Sequence, residues 1–311
     1  MTLATGAAAS LVVAWLLGWV LIPWLRRLKV GQVVREVGPQ SHLSKQGTPT
    51  MGGLLFVLPA AAFTLLTFPR SAAAWDLAGL LLAYAAIGFA DDYLKVVKRR
   101  PLGLRARQKL AFQFLAAGIF TWQAMRLGAA DVLKVPWDGW WHPGVWFVPL
   151  ALLAIVGSSN AVNETDGLDG LAGGAAVIAL VFFAAYAGRV GDPVALFFAA
   201  VLAAGVVGFL RYNWHPAAVF MGDTGSLALG AALAGLAVLT RSTLLLPVVG
   251  GLFVLETLSV IVQVAAFRAF GRRVLRMSPL HHHFELAGWP EARVVTTFWA
   301  VALVCALVAW I

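Results

Sequence analysis

Ten predominantly apolar runs follow one another along this chain, with only short polar segments between them. A helix needs about 20 mainly apolar residues to cross the hydrocarbon of a bilayer, where every backbone polar group must be satisfied inside the structure. The runs fall approximately at residues 4–25, 51–68, 75–95, 109–127, 145–161, 171–188, 194–212, 225–240, 243–267 and 293–311. They use most of the 311 residues and leave no stretch for a sizeable soluble domain. With 61% hydrophobic and 12% charged residues, the chain reads as an all-α polytopic membrane protein, one integral membrane domain over 1–311. The first run is followed directly by Trp24-Leu-Arg-Arg-Leu-Lys29. A cleaved signal peptide carries its charge in front instead, so this run is expected to remain as an anchor.

Alternate loops must then lie on opposite sides. Eighteen of the 23 Lys and Arg residues fall on one side, Arg26, Lys45, Lys95, Lys109, Arg211 and Arg276 among them. Arg70, Arg126, Lys134, Arg189 and Arg241 fall on the other. The positive-inside rule makes the first side cytoplasmic and puts both termini in the periplasm. The net charge of +9 is then a topology signal and a contact with anionic lipid, and no nucleic acid is required to explain it. The single cysteine, Cys305, lies in the last run and reads as packing, which excludes a disulfide framework or a thiolate metal cluster. Trp137-Asp-Gly-Trp-Trp141 reads as a periplasmic aromatic belt.

The same topology sorts the acids. Glu36, Asp91, Asp92, Glu164, Asp166, Asp169, Asp223, Glu285 and Glu291 come out cytoplasmic, and Asp76, Asp131, Asp138, Asp192 and Glu256 do not. Carboxylates cannot be left unpaired in hydrocarbon, so their convergence on one face from segments far apart points to chemistry at the membrane surface. A transporter would place its coupling acids near the midplane. Only Glu256 reads as deep, and a structural partner of another polar group is the simpler reading for it.

Four polar stretches interrupt the apolar pattern. Asn160 to Gly174, with two carboxamides and three carboxylates, reads as a cytoplasmic turn. Asp91 and Asp92 end the third run: they are either a solvated helix end paired with Lys95, or carboxylates at the unfavourable end of a helix dipole that require a cation or metal. Phe220-Met-Gly-Asp-Thr-Gly-Ser226 reads as a Gly-flanked turn entering a helix, with Thr224 or Ser226 as cap. Its free amides suit phosphate oxygens and Asp223 suits a divalent ion. Ser278-Pro-Leu-His-His-His-Phe-Glu285 follows the basic run Arg268 to Arg276. Three adjacent histidines do not turn all their rings toward one zinc ion, whereas imidazole and guanidinium groups together suit a phosphorylated or acidic ligand. Two lures are set aside: Asn163-Glu-Thr165 fits a glycosylation sequon but faces the cytoplasm, and Asp166-Gly-Leu-Asp-Gly170 lacks the other ligands of an EF-hand loop.

Taken in order, Ser41-His-Leu-Ser-Lys-Gln-Gly-Thr-Pro-Thr-Met-Gly-Gly53, Asp91-Asp-Tyr-Leu-Lys95, Asn160 to Leu171, Gly222-Asp-Thr-Gly-Ser226 and Pro279-Leu-His-His-His-Phe-Glu285 resemble the motifs of one family. That family is the bacterial phospho-N-acetylmuramoyl-pentapeptide transferases, a branch of the polyprenyl-phosphate N-acetylhexosamine-1-phosphate transferases. The resemblance runs from about residue 23 to the C-terminus. It implies ten transmembrane helices, a homodimer, and a Mg2+-dependent active site on the cytoplasmic face of the bacterial inner membrane. The implied reaction joins UDP-MurNAc-pentapeptide to undecaprenyl phosphate, giving lipid I and UMP in peptidoglycan synthesis. By motif position Asp91, Asp92 and Asp223 match the family's essential acids, with Asp223 its clearest magnesium ligand. Lys45, Asp166 and Phe220 match positions that hold the uridine, Phe220 by stacking. Lys95, Lys109, Asn163, Asp169, His281 and His282 match other active-site positions, and Thr50, Asn160 and His283 lie in the same motifs as candidate substrate contacts. Glu164 departs from the pattern, standing where the family has an apolar residue, often Leu; it is expected only to face water.

The implied chemistry suits these residues. A lipid phosphate and a soluble polyanionic nucleotide sugar can meet only at the interface, where Mg2+ draws on carboxylate oxygens and Lys95 and Lys109 offset phosphate charge. A phosphate monoester, with a second pKa of about 6, is mostly dianionic at neutral pH, which weakens the case for a general base. Asp91 is the candidate if one exists, with Asp92 as the alternative or as an orienting neighbour of Lys95. Direct attack and a covalent phosphosugar intermediate both stay open. The rival readings are a related transferase using UDP-N-acetylglucosamine and, from a different class, an ion-coupled transporter.

Overall fold

The computed structural model describes residues 1–27, 47–98, 100, 102–137 and 139–311. Among them the helices are α1 (Leu3–Arg27), α2 (Leu54–Thr67), α3 (Ala72–Val96), α4 (Ala106–Arg126), α5 (Phe147–Thr165) and α6 (Leu171–Val190). They continue as α7 (Pro193–Asn213), α8 (Gly222–Leu239), α9 (Leu246–Val249), α10 (Gly251–Phe270), α11 (Leu280–Leu286) and α12 (Glu291–Trp310). The strands described are a two-residue pair, β1 (Leu133–Lys134) antiparallel to β2 (Trp140–Trp141). The protein is all-α and polytopic: among the described residues eight helices are long and apolar enough to cross a membrane, and α2 is a shorter apolar helix of 14 residues. α4 is not among the eight, its apolar face being diluted by Gln108, Lys109, Gln113, Gln123 and Arg126.

Each of the ten apolar runs coincides with one main helix, but two boundaries matter. The run 243–267 is not one span: α9 ends at Gly250, and α10 starts afresh at Gly251. Adjacent glycines and Pro247 make this the weakest point of the run, because neither residue type supports a helix interior. The stretch 160–174 is a turn only at its centre. α5 continues to Thr165 and α6 starts at Leu171, so Asn160 and Asn163 sit three residues apart on one helical face.

Small residues set the packing. The buried positions of α1 include Gly6, Ser10, Ala14 and Gly18, a strict four-residue repeat that forms a flat seam. It lies along α7, where the Tyr212 hydroxyl donates to the Trp15 carbonyl at 2.7 Å. Without a hydrophobic driving force between helices in lipid, such close backbone approach is what holds them together. α8 is the centre of the bundle: every residue from Thr224 to Val238 is buried, and more than half of them are Gly or Ala. A helix apolar on all sides belongs inside, and here α3 and α5 close on it from two directions.

The polar ends gather on one face. Asp91 near the end of α3, Lys109 in the first turn of α4, Asn163 in the last turn of α5 and Asp223 in the first turn of α8 meet there. The opposite face carries the β1–β2 segment, whose Trp137 indole donates to the carbonyl of Val308 at the end of α12. The start of α1 packs at Gly6 against Phe197, one turn into α7, on that same opposite face. Both outer ends of the bundle thus lie away from the acid cluster. Trp137, Trp140 and Trp141 are exposed there, as a belt residue must be.

Candidate active site

The loop before α2 and the turn before α8 are knitted by backbone bonds. Phe220 N donates to the Pro49 carbonyl at 2.8 Å, and Gly52 N and Gly53 N donate to the Phe220 and Met221 carbonyls at 2.9 Å each. Gly222 follows with φ +71°, and a side chain there would meet the Thr50 hydroxyl and Asp92 carboxylate, so only glycine lets the chain turn here. α8 has no side-chain cap of its own. Asp92 supplies one from α3: its Oδ2 accepts from the Thr224 amide at 3.0 Å and from the Thr224 hydroxyl at 2.7 Å, while Oδ1 accepts from the Asp223 amide at 3.2 Å. A carboxylate at a helix N-terminus satisfies orphan amides and complements the dipole. The sequence had offered Thr224 or Ser226 as cap; Thr224 instead donates to the true cap, and Ser226 donates to the Gly222 carbonyl at 3.0 Å.

Asp91, one residue earlier, faces a different set. Its Oδ1 accepts the Leu104 amide at 2.8 Å, and its Oδ2 lies 2.5 Å from the Lys95 ammonium. Lys95 also reaches Asp223 Oδ2 at 3.1 Å, and Lys109 donates to the same oxygen at 2.8 Å. The Asn163 carboxamide donates to Asp223 Oδ1 at 2.9 Å and to the Ser226 hydroxyl at 2.8 Å. Lys95 therefore bridges Asp91 and Asp223, while Asp92 is occupied by α8. These carboxylates are hard oxygen donors, the type a magnesium ion takes. Asp91 and Asp223, whose oxygens both meet Lys95, supply the carboxylate oxygens that would suit a divalent cation.

The remaining predicted residues fall around this centre. Lys45 lies outside the described residues. Thr50 is buried beside Gly222, and Phe220 is half-buried at the mouth of the same turn. Asn160 donates to Gln113 Oε1 at 2.9 Å and to the Val156 carbonyl at 2.8 Å, so it ties α5 to α4 and does not join the acids. Asp166 terminates α5 at the C-cap, half-buried. Asp169 Oδ2 accepts from the Ala217 amide at 3.0 Å and lies 3.0 Å from His215 Nδ1. Glu291, at the start of α12, accepts the Asp169 amide at 2.8 Å. Asp169, His215 and Glu291 place one ligand atom each within 4.8 Å of one another, a second arrangement with metal-ligand chemistry. Asn213 fastens this corner, accepting the Gly170 amide and donating to the Val219 carbonyl, each at 3.0 Å.

The three histidines occupy a short helix, α11, and play different parts. His281 is fully buried, with Nδ1 3.2 Å from Glu256 Oε1. His282 Nδ1 is 2.8 Å from Glu285 Oε2, and His283 Nδ1 accepts the Arg276 amide at 3.1 Å. His281 lies directly on Gly167, in the turn between Asp166 and Asp169, which joins α11 to the rest of the site. Glu164 does not simply face water; it is half-buried toward Thr257 and Glu256. Sequence reasoning missed His215, Asn213 and Gln113. Each is a lone polar residue in or beside an apolar run, and the only signal was that a polar group in such a place requires a partner.

The bundle gathers carboxylates and lysines at one polar end, an arrangement suited to binding a charged, phosphorylated ligand. A family model described as glycosyl transferase family 4 matches residues 74–241, and the phospho-N-acetylmuramoyl-pentapeptide-transferase signature 1 matches residues 45–57. The chain is similar to the phospho-N-acetylmuramoyl-pentapeptide-transferase of Moorella thermoacetica, with 54% identity over 298 residues, 95% of this chain and 94% of that one. The protein of the same name from Heliobacterium modesticaldum is 53% identical over 94% of this chain and 92% of its own. That from Geobacillus kaustophilus is 52% identical over 96% and 94%. The chain belongs to the phospho-N-acetylmuramoyl-pentapeptide-transferase family, and is a transferase of peptidoglycan synthesis.

Proposed function

We propose that the acid and lysine cluster transfers phospho-MurNAc-pentapeptide from UDP-MurNAc-pentapeptide to undecaprenyl phosphate, forming lipid I and releasing UMP. The observation that carries this reading is the convergence of Lys95, Lys109 and Asn163 on the single carboxylate of Asp223, with Asp91 sharing Lys95. Phosphoryl transfer is mostly positioning and charge compensation, and this is an arrangement built for both. Asp223, with Asp91 beside it, would hold Mg2+, which when bound neutralises charge on the diphosphate. Lys95 and Lys109 then turn from the carboxylates toward phosphate oxygens. Asp91 keeps an oxygen within reach of an incoming lipid phosphate and is the base if a proton must be taken. Asp92 holds the α8 N-terminus and so fixes where Asp223 points. Phe220 and Asp166 serve the uridine, together with Lys45.

The membrane side follows from charge. The site lies at the Lys- and Arg-rich end of the bundle, which the positive-inside rule assigns to the cytoplasm of the bacterial inner membrane, with both termini periplasmic. A single membrane domain and a homodimer complete the reading. The test is UMP release from purified protein given Mg2+, UDP-MurNAc-pentapeptide and undecaprenyl phosphate. Dependence on all three supports transfer; equal turnover with UDP-N-acetylglucosamine would shift the assignment to the related hexosamine transferases. Solute flux without UMP would overturn it. A labelled adduct formed with the nucleotide sugar alone would replace direct attack by a two-step route.

A further inference from the structure

Glu256 is the acid that the proposed reaction does not use. It sits in α10 with no exposed surface, facing a histidine that is equally buried. In α10 Glu256 lies near Glu164 at the end of α5 and His281 in α11. A carboxylate fully removed from water is costly unless a donor answers it. Among the described residues, the only cationic or imidazole group within ion-pair distance of Glu256 is His281, at 3.2 Å. The pairing falls short of a well-formed hydrogen bond, and both Glu256 oxygens and both His281 nitrogens are otherwise unsatisfied. On the other side of the ring, Nε2 lies where a side chain at position 167 would have to go, against Gly167.

We propose that Glu256 is a positioning residue for this site. Its carboxylate holds Nδ1 of His281 from behind, Gly167 leaves room in front, and the ring is thereby clamped between α10 and the Asp166–Asp169 turn. Since His281 lies in the first turn of α11, the clamp also sets where His282 and His283 are presented. The argument rests on the reading of α11 as part of the active site. Glu164, unexpected at its position, belongs to the same buried corner through Thr257 and Glu256.

The test is a set of variants assayed by UMP release at saturating and limiting nucleotide sugar, with thermal unfolding in detergent alongside. Glu256→Leu removes the carboxylate facing His281 Nδ1 and should lower kcat about tenfold by releasing the ring, with KM for the nucleotide sugar little changed. Glu256→Gln keeps an acceptor at the same reach and should restore kcat to within about threefold of the native value. Gly167→Ala pushes the ring from the opposite side and should mimic Glu256→Leu, which keeps the test alive if the buried Leu variant fails to fold. In a His281→Ala background, neither Glu256→Gln nor Gly167→Ala should cost anything further, because residues acting through one group are not additive. Additive losses, or a Gly167→Ala protein with native kcat, would overturn the proposal. If His281→Ala alone keeps native turnover, the placement of α11 in the active site is what falls.

Discussion

Asp92 of α3 caps α8, accepting the Thr224 amide at 3.0 Å and the Thr224 hydroxyl at 2.7 Å. Two helices distant in sequence therefore share one terminus, and the neighbouring pair divides: Asp92 holds the scaffold, while Asp91 faces Lys95 in the cluster proposed to react. Replacing Asp92 by Ala should cost about 1–2 kcal/mol, the upper part of the range for a lost N-cap. Asp92→Asn keeps a side-chain acceptor and should recover much of that. Thermal unfolding in detergent reads the difference, and a native melting point for Asp92→Ala would contradict the capping role.

Gly88 lies under the same junction. A methyl group there would land on the backbone carbonyl of Asp223, which has no flexible end to swing away. Gly88→Ala should therefore lower stability by about 1–3 kcal/mol, as overpacked sites do, and depress UMP release by shifting Asp223. A variant that folds and turns over normally would mean that α3 and α8 can separate without harm.

Asp223 is the carboxylate on which two lysines and a carboxamide converge. Asp223→Ala should lower kcat by about 10²–10³, the loss found when one preorganised electrostatic group is taken from a reacting centre. Chelation with EDTA should abolish UMP release from the native protein, and Mg2+ or Mn2+ should restore it, since both accept oxygen ligands. Turnover that persists in EDTA would remove the metal from the mechanism.

Phe220 presents a half-buried ring beside the turn that holds Asp223. If it stacks on the uracil, Phe220→Ala should raise KM for the nucleotide sugar at least about tenfold, in line with 1–3 kcal/mol per stacked base. Phe220→Tyr should stay near native. Equal KM values for all three proteins would place the base elsewhere.

The all-α polytopic architecture was largely legible because bilayer thickness and hydropathy dictate long apolar helices. The convergence of Asp91 and Asp223 was legible for the same reason: topology alone brought both to one face. What pattern could not reach was pairing. Nothing local distinguishes Asp91, which meets Lys95, from Asp92, which meets Thr224; that depends on which face of α3 meets α8. Glu256 was legible as a deep acid in need of a polar partner, but that the partner is His281 depends on how α11 packs against α10. His215 and Asn213 were invisible because each acquires its partner from a segment more than forty residues away.

A helix sheathed by its own protein has no lipid neighbours. Since Thr224 to Val238 of α8 are buried throughout, the alignment of Asp223 with Asp91 is referenced to protein backbone alone. Changes in acyl-chain length or in the surrounding amphiphile are felt first by the outer helices, such as α1 and α12. The Asp91–Asp223 cluster is to that extent insulated from the thickness of the surrounding membrane.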